Sequence, residues 1–266
     1  MLPIRLLRTS HLGPTLIVTL VSTLLAGSLT SFPRAFFIGA AVFFGQLCVG
    51  WTNDLIDEES DRAEGRTDKP IAQGALSRDL VIRSTFISLA LSTALSLFGP
   101  FGIRGGLLHL LGVGCGVAYN FFFKRTLLSP LPYLVAFAAL PSSIVTSQNY
   151  VVPIWLITAG ALFGLAAHFA NVVKDMEKDR ITGIKGLPQM LGSKISLFIA
   201  GISLVQIGIM LGIVTKNRQI IPLSIIASIA IFTLPKRFSF PLILVIAVID
   251  VGVLVNLGSG YLVLRS

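Results

Sequence analysis

The sequence predicts an all-α membrane protein of about nine transmembrane helices, with its N-terminus in the cytoplasm. Hydrophobic residues make up 54% of the 266 residues and charged residues only 12%, whereas a soluble domain carries about 25% charged residues. The mean hydropathy is +0.85. Because a helix needs about 20 apolar residues to cross a bilayer, the repeated apolar runs predict one polytopic domain over residues 1–266.

Nine apolar runs are candidates for these helices. They cover residues 12–31, 35–53, 80–99, 104–123, 130–147, 153–173, 195–215, 219–235 and 239–262. The fifth and eighth runs are the shortest. The first run favours an uncleaved helix over a secretory signal, because it is about twenty residues long and further spans follow it.

The positive charges predict how the helices are oriented. With the N-terminus inside, only five basic residues lie outside, which leaves 16 of the 21 on the cytoplasmic side. The five are Arg34, Arg104, Lys216, Arg218 and Arg265. This bias is typical of cytoplasmic loops, so we expect the polar site at the cytoplasmic face, of the cell membrane if the organism is prokaryotic.

The net charge of +9 does not indicate nucleic-acid binding. The basic residues are scattered among the loops and form no stripe interleaved with aromatic residues. Anionic lipid headgroups and a phosphate-bearing substrate are better partners for them. Cys48 and Cys115 both lie inside predicted spans, so neither indicates a disulfide framework or a zinc site.

Eleven of the 12 acidic residues lie in two short stretches. The first stretch follows the second span with the pattern Asn-Asp-x-x-Asp-x-x-x-Asp. At about 3.6 residues per turn, Asp54, Asp57 and Asp61 share one helix face, with Asn53 on its edge. A hard cation such as Mg²⁺ takes these oxygen ligands and completes its shell with waters and substrate phosphates.

The second stretch ends the sixth span. Its pattern Asn-x-x-x-Asp-x-x-x-Asp is expected to stack Asn171, Asp175 and Asp179 on one helix face. Two such faces can converge on one diphosphate through bridging metal ions. Basic residues follow each motif, and they can contact the diphosphate oxygens that the metals leave free.

These patterns resemble the UbiA-type intramembrane prenyltransferases. The resemblance rests on Asn53-Asp54-x-x-Asp57-x-x-x-Asp61 with Arg66-Thr67-Asp68-Lys69-Pro70, on Asn171-x-x-x-Asp175-x-x-x-Asp179 with Lys185-Gly186-Leu187-Pro188, and on Tyr119-Asn120-Phe121-Phe122-Phe123-Lys124-Arg125. The likeness covers nearly the whole chain. The chain departs from the family pattern at Lys69, because family members often have an arginine at this position before the proline.

The resemblance implies a helix bundle around a central cavity, with Mg²⁺ and a polyprenyl diphosphate at its cytoplasmic end. It implies that Asp54, Asp57 and Asp61 bind one set of metals and Asp175 and Asp179 another, with Asn53 and Asn171 orienting the site. Diphosphate contacts would come from Arg66, Lys69, Lys124, Arg125 and Lys185. Asp54, Asp57, Asp175 and Tyr119 are then the candidate catalytic residues.

The chemistry of prenyl transfer agrees with this set of residues. Breaking an allylic C–O bond leaves a diphosphate anion and a delocalised cation, which an aromatic face such as that of Tyr119 can stabilise. His168 shares a face with Asn171 and is a candidate on the acceptor side, as a base or a hydrogen-bond donor. A packing role for His168 is the alternative.

Other functions remain open from the residues alone. A cation or metabolite transporter would place ionisable residues near the bilayer midplane, where Asp250 is expected. An alcohol phosphatidyltransferase would use one acidic cluster, and this chain has two. The second motif and Leu187-Pro188 favour an aromatic quinone precursor as the small acceptor, although the family also uses porphyrins, sugar phosphates and glycerol phosphates. His109 is expected to be structural, and His11 has no assigned role.

Overall fold

The computed structural model describes residues 5–7, 9–181, 183–257 and 260–264, and it is nearly all helical. The elements in chain order are α1 (Leu12–Gly27), α2 (Phe32–Ala63), α3 (Arg78–Phe98), α4 (Gly102–Ala118), a π-helical turn (Tyr119–Phe123), α5 (Pro130–Ser147), β1 (Tyr150–Val151), α6 (Ile154–Val173), α7 (Met176–Ile181), α8 (Leu187–Val214), α9 (Ile220–Thr233), a 3₁₀ turn (Lys236–Phe238), α10 (Ser239–Leu257) and β2 (Val263–Leu264).

Seven of the described helices are long and apolar enough to cross a membrane. These are α2, α3, α4 with its π-helical turn, α5, α6, α8, and α10 with the turn before it. The apolar helices α1 and α9 have 16 and 14 residues, fewer than the roughly 20 that span a bilayer. The integral membrane character is therefore supported, whereas the count of nine spans stays a prediction.

Helices that follow one another in the chain pack side by side from α1 to α6, and α8 then packs on α6 and α9. The last helix, α10, packs against both α1 and α6, so the two ends of the chain lie together in the bundle. The short strands β1 and β2 pair antiparallel, Tyr150 with Leu264 and Val151 with Val263. This pair was not predicted, since two residues are too few to show a strand pattern.

The apolar core consists of three clusters. The largest joins α6, α8, α9 and α10 and includes Phe169, Leu204 and Ile243. A second cluster joins α1 and α2 to Phe101 and Ile144. The third lies directly beneath the first acidic motif. Its members are Leu47, Trp51, Ile71, Leu76 and Val81.

Two glycines bring α5 and α6 unusually close together. A Cβ at Gly160 would lie 2.5 Å from the Phe137 carbonyl oxygen, and one at Gly164 would lie 2.3 Å from that of Tyr133. Real Cβ atoms do not approach backbone that closely, so only glycine permits this contact. The contact places Tyr133 beside His168, one turn further along α6.

Several helix ends differ from the predicted spans. The second helix continues through the whole first motif to Ala63. The seventh apolar run begins at Leu187 rather than at 195, with Pro188 in its first turn, and Gly192 (φ 80°, ψ 167°) interrupts it. Proline is favoured in a first helical turn, so the segment expected as a loop starts the helix instead.

Candidate active site

The end of α2 carries the first acidic motif, as predicted. Asp54 and Asp61 are buried, and Asp57 is half-buried. Glu58, which points elsewhere, is paired with Arg62 at 2.7 Å and with Arg78 on α3. The contact with Arg78 ties the motif to α3, and Glu58 is bound to the two arginines, whereas the aspartates of the motif bind other groups.

Lys69 binds the first aspartate of the motif. Its Nζ lies 2.5 Å from Asp54 Oδ1, although 15 residues separate them in the chain. The Asp54 side chain is only 3% exposed, and that of Lys69 is 14% exposed. A buried carboxylate without a partner is costly, so the ammonium group compensates the charge of Asp54.

Lys124 binds the second aspartate. Its Nζ lies 2.7 Å and 2.5 Å from the two carboxylate oxygens of Asp57. The Asn53 amide also donates to Asp57 Oδ2, at 3.1 Å. The structure thus joins residues from two of the recognised motifs, one at the end of α2 and one just after the π-helical turn.

Arg66 forms a fork with Asp68, with N···O distances of 2.8 Å and 2.7 Å. This guanidinium holds the pKa of Asp68 well below its usual range, and the fork likewise raises the pKa of Arg66. Arg66 also lies 3.8 Å from Asp61. The charge of Asp175 acts on it as well, so the loop after the first motif faces the second motif.

The second motif is not one continuous helix face, and that prediction is wrong. Helix α6 ends at Val173 and α7 begins at Met176. The Asp175 N–H donates to the Val172 carbonyl three residues back, a tighter bond that is common where a helix ends. The break leaves the Asp175 side chain 44% exposed.

Asp179 is held from the start of α8. Gln189 Nε2 donates to its Oδ2 at 2.7 Å. Burial raises the pKa of the Asp179 carboxyl, while the hydrogen bond from Gln189 lowers it. Asp57 and Lys124 also act on this carboxyl through their charges, so the two motifs lie within electrostatic reach of each other.

Three rings form an aromatic wall beneath the charged groups, made of Tyr119, Tyr133 and His168. The Tyr119 ring meets the Tyr133 ring edge to face at 5.0 Å between centroids. The His168 ring lies 5.6 Å from Tyr119 and 4.8 Å from Tyr133. Tyr133 is also hydrogen-bonded to Asn171. Sequence reasoning did not find Tyr133, because nothing local marks it as a neighbour of Tyr119.

His168 is hydrogen-bonded on one side only. Its Nε2 lies 3.1 Å from Ser129 Oγ, and Ser129 also accepts the Leu187 N–H at 3.2 Å. Among the described residues, the buried Nδ1 of His168 has no hydrogen-bond partner. A buried polar atom of that kind is expected to meet a ligand or a water.

Two cavities flank the motifs. One, of about 330 Å³, is lined by Ile56, Asp57, Asn120, Phe121, Phe122, Lys124 and Arg125. The other, of about 590 Å³, contains Lys174, Lys185 and Lys236 near the second motif. Arg125 therefore lies beside the Asp57–Lys124 pair, whereas Lys185 borders a separate cavity that also contains Gln189.

His11 belongs to this site, although the sequence assigned it no role. Its Nε2 lies 3.3 Å from Asp54 Oδ1 and 3.4 Å from Lys69 Nζ. The Asn53 amide nitrogen is 3.3 Å from the same ring nitrogen. A single histidine 42 residues before the motif carries no local signal that could have indicated this contact.

The remaining buried ionisable groups lie apart from the motifs. His109 is structural, as predicted, because it stacks on Phe101 at 5.0 Å and its Nδ1 lies 2.7 Å from Ser96 Oγ. Asp250 on α10 is buried, and neither of its carboxylate oxygens has a partner in the described part of the chain. The motifs do not account for Asp250.

The donor atoms suit Mg²⁺. Across the described residues, no three His, Cys, Asp or Glu side chains converge on one point as a preformed metal site. Mg²⁺ needs only one or two carboxylates, because waters and substrate phosphates complete its octahedral shell. Aspartates that face each other across two motifs therefore fit a Mg²⁺ ion that binds together with a diphosphate.

The chain is similar to known proteins in both sequence pattern and fold. The model of the UbiA prenyltransferase family matches residues 15–257. The fold is similar to that of a UbiA homologue from Archaeoglobus fulgidus bound to GPP and Mg²⁺, with a TM-score of 0.75 and 17% identity over 94% of this chain and 97% of that one. For the same homologue bound to DMAPP and Mg²⁺, the TM-score is 0.72 and the identity is 18%, over 95% of this chain and 99% of that one.

A third similar structure is that of a digeranylgeranylglyceryl phosphate synthase, with a TM-score of 0.67 and 17% identity over 95% of each chain. No curated protein sequence matches the chain. The predicted cofactor agrees with the Mg²⁺ described in the two Archaeoglobus structures. Since the family model covers most of the sequence, the predicted resemblance is confirmed, and the chain belongs to the UbiA prenyltransferase family.

Proposed function

We propose that this protein transfers a prenyl group from a polyprenyl diphosphate to a small acceptor, with Mg²⁺ as cofactor. One observation carries the proposal: Lys69 and Lys124 bind Asp54 and Asp57 at the end of one helix. The turn that leads to Lys124 begins at Tyr119, whose ring packs against Tyr133 and His168. Cations and carboxylates suit a metal-bound diphosphate, whereas aromatic rings suit an allylic cation.

The basic residues would bind the diphosphate. Lys69 and Lys124 offer ammonium donors that can turn from a carboxylate to a phosphate oxygen. Arg66 offers a planar fork for two oxygens, and Arg125 borders the same cavity as Lys124. Lys185 borders the other cavity, so it would approach the diphosphate from the side of the second motif.

The aspartates would hold the metal. Asp54, Asp57 and Asp61 supply hard oxygen donors from the first motif, and Asp175 and Asp179 supply them from the second. Asn53 positions Asp57 by the hydrogen bond described above, and Gln189 positions Asp179. When bound, Mg²⁺ supplies positive charge that stabilises the diphosphate as a leaving group.

The reaction breaks the allylic C–O bond, and both bonding electrons leave with the diphosphate. The ring faces of Tyr119 and Tyr133 stabilise the resulting allylic cation by cation–π attraction. A nucleophilic atom of the acceptor then forms the new bond to carbon, and an aromatic carbon nucleophile loses a proton to restore its ring. His168 Nδ1, which is buried without a partner among the described residues, would take that proton or orient the acceptor.

An aromatic quinone precursor is the acceptor that we propose. The rings of Tyr133, Phe137 and His168 lie together, and flat aromatic molecules stack well on such rings. We further propose a single domain of about nine spans with a cytoplasmic N-terminus and a site at the cytoplasmic face, since helices α1 and α9 are also apolar.

The proposal is tested by a transfer assay in nanodiscs. Labelled prenyl diphosphates of several lengths are incubated with aromatic and phosphorylated acceptors, with and without Mg²⁺. We expect a labelled lipid product from an aromatic acceptor and no product after chelation. A product from phosphorylated acceptors alone would contradict the quinone assignment, and no Mg²⁺-dependent turnover of any prenyl diphosphate would favour a transporter that uses Asp250.

A further inference from the structure

We infer that His11 is a positioning residue of the active site, held against Asp54 and Lys69 by the segment that precedes the first helix. This inference rests on the proposed function, because it assigns to His11 the task of orienting a carboxylate that binds the metal. The segment consists of residues 5–7 and 9–11, here called the N-terminal strap.

The strap is packed tightly on α2. Trp51 Nε1 donates to the Leu6 carbonyl at 2.8 Å. Thr9 and Ser10 are fully buried, and Thr15 Oγ1 donates to the Ser10 carbonyl at 2.9 Å. These contacts fix the backbone on either side of His11, so the imidazole is held in place by more than its own hydrogen bonds.

Gly50 makes the close approach of the strap possible. A Cβ at position 50 would lie 2.4 Å from the Ser10 carbonyl oxygen, much closer than real Cβ atoms come to backbone. His11 directly follows Ser10 in the chain, and the acidic motif begins at Asn53, three residues after Gly50. The same contact therefore brings the histidine to the motif.

His11 has an unusual backbone conformation. Its φ of 54° and ψ of 55° lie in the left-handed region, which residues other than glycine rarely adopt. Such a conformation is strained and persists where the surrounding structure enforces it. Here the packed strap enforces the left-handed backbone of His11, and this backbone conformation directs the imidazole toward Asp54.

One ring nitrogen of His11 meets three polar groups. Nε2 lies within 3.3 Å of Asp54 Oδ1, 3.3 Å of Asn53 Nδ2 and 3.4 Å of Lys69 Nζ. It can donate to the carboxylate or accept from the amide and the ammonium. With its proton on Nε2 the imidazole donates to Asp54, and with its proton on Nδ1 it can accept from Lys69 through Nε2. Because Lys69 is itself bound to Asp54, the imidazole restrains the Asp54 carboxylate directly in the first tautomer and through Lys69 in the second.

The restraint matters because Asp54 is a candidate metal ligand. Groups that hydrogen-bond to a ligating carboxylate fix its orientation, and their removal typically weakens metal binding about 10- to 100-fold. His11 and Lys69 both contact Oδ1 of Asp54. With Oδ1 held by both groups, His11 would help to set the orientation in which the Asp54 carboxylate meets a metal ion.

The test measures binding of Mn²⁺ to the full chain in nanodiscs in the presence of a prenyl diphosphate. Binding is followed by the electron paramagnetic resonance signal of the free ion, relative to the same mixture without protein. His11→Gly removes the imidazole and accepts the left-handed backbone without strain. His11→Asn is a second deletion, since asparagine tolerates that backbone region but is too short to reach Asp54. His11→Gln restores an amide near the position of Nε2.

We expect Mn²⁺ to bind about tenfold more weakly to H11G and H11N, and H11Q to recover most of the affinity. The apparent KM for Mg²⁺ should rise in the same order, while the KM for the acceptor stays unchanged. Each variant should unfold at the wild-type temperature in the absence of metal, because the strap itself keeps its contacts.

Equal Mn²⁺ affinities in the wild type and both deletion variants would overturn the role of His11 alone. A loss of affinity in H11G, H11N and H11Q alike, together with a lower unfolding temperature in all three, would also overturn it, because that result indicates a purely structural residue. Absence of Mn²⁺ binding to the wild type would overturn the proposed function and this inference with it.

Discussion

The Lys124 ammonium group binds both oxygens of the Asp57 carboxylate, at 2.7 Å and 2.5 Å, across 67 residues of sequence. The contact joins the end of α2 to the segment just after the π-helical turn. The positive charge of Lys124 also lowers the pKa of the Asp179 carboxyl in the second motif. Lys124 thus acts on carboxylates of both motifs, as Arg66 does.

Replacing Lys124 should impair diphosphate binding more than replacing Lys185. We expect K124Q to lower kcat/KM for the prenyl diphosphate about 100-fold, because a charge-assisted hydrogen bond contributes about 2 to 3 kcal/mol at such a site. K185Q should lower kcat/KM by a smaller factor, since Lys185 is exposed and borders the other cavity. Steady-state kinetics with varied prenyl diphosphate compares the two variants, and an equal loss would contradict the placement of Lys185.

Replacing Asp54 or Asp175 by alanine should abolish turnover in both cases, but only the first change should lower the stability of the fold. Asp54→Ala leaves the nearly buried Lys69 ammonium without its carboxylate partner, which costs about 3 kcal/mol or more for buried pairs. Asp175→Ala removes a side chain that is 44% exposed, so unfolding should stay near the wild-type temperature. Transfer assays and thermal unfolding in detergent measure the two effects. Full activity in either variant would contradict the two-motif model.

Gly50→Ala should displace the N-terminal strap. The added methyl group would clash with the Ser10 carbonyl oxygen at 2.4 Å, and overpacking of this kind costs about 1 to 3 kcal/mol. The matched control is Gly114→Ala on α4, where an added Cβ meets nothing within 4 Å. That control should be neutral or slightly stabilising, as alanine is the better helix former. Chemical unfolding and Mn²⁺ affinity should separate the variants.

The Arg66–Asp68 fork should stabilise the fold only when Asp68 is ionised. Arg66 lowers the pKa of the folded-state carboxyl, so its contribution is complete above the unfolded-state value of about 3.9. The contribution is lost as the pH falls toward the lower, folded-state pKa. Because Asp68 is 63% exposed, Asp68→Asn should lower stability by less than about 1 kcal/mol at pH 7.

The measurement is thermal unfolding of the wild type and D68N at pH 7 and at a series of lower pH values. The difference between the two should shrink as the pH falls below about 4. Glu59→Gln, on the exposed side of α2, provides the control for loss of a carboxylate outside the fork. A difference that grows on acidification would contradict the assigned sign.

Local pattern was enough to predict much of this protein. Apolar runs indicated the long helices, because a helix in lipid must satisfy its own backbone and cover itself with apolar side chains. The spacing of Asp54, Asp57 and Asp61 predicted one helix through the first motif, and α2 runs to Ala63 as that prediction requires. The same reasoning was wrong at the second motif, where the tight turn at Asp175 interrupts the helix.

The sequence by itself determined the membrane character, the family and the residue types of the site, since these follow from composition and from spacing within a few turns. Only the tertiary structure decided which groups meet: His11 with Asp54, Lys124 with Asp57, and Tyr133 with Tyr119. Those contacts depend on how helices pack, through close approaches such as those at Gly50 and Gly164. Helix packing depends on the sum of many side-chain contacts between segments that are far apart in the chain, so the spacing of residues within one helix does not predict it.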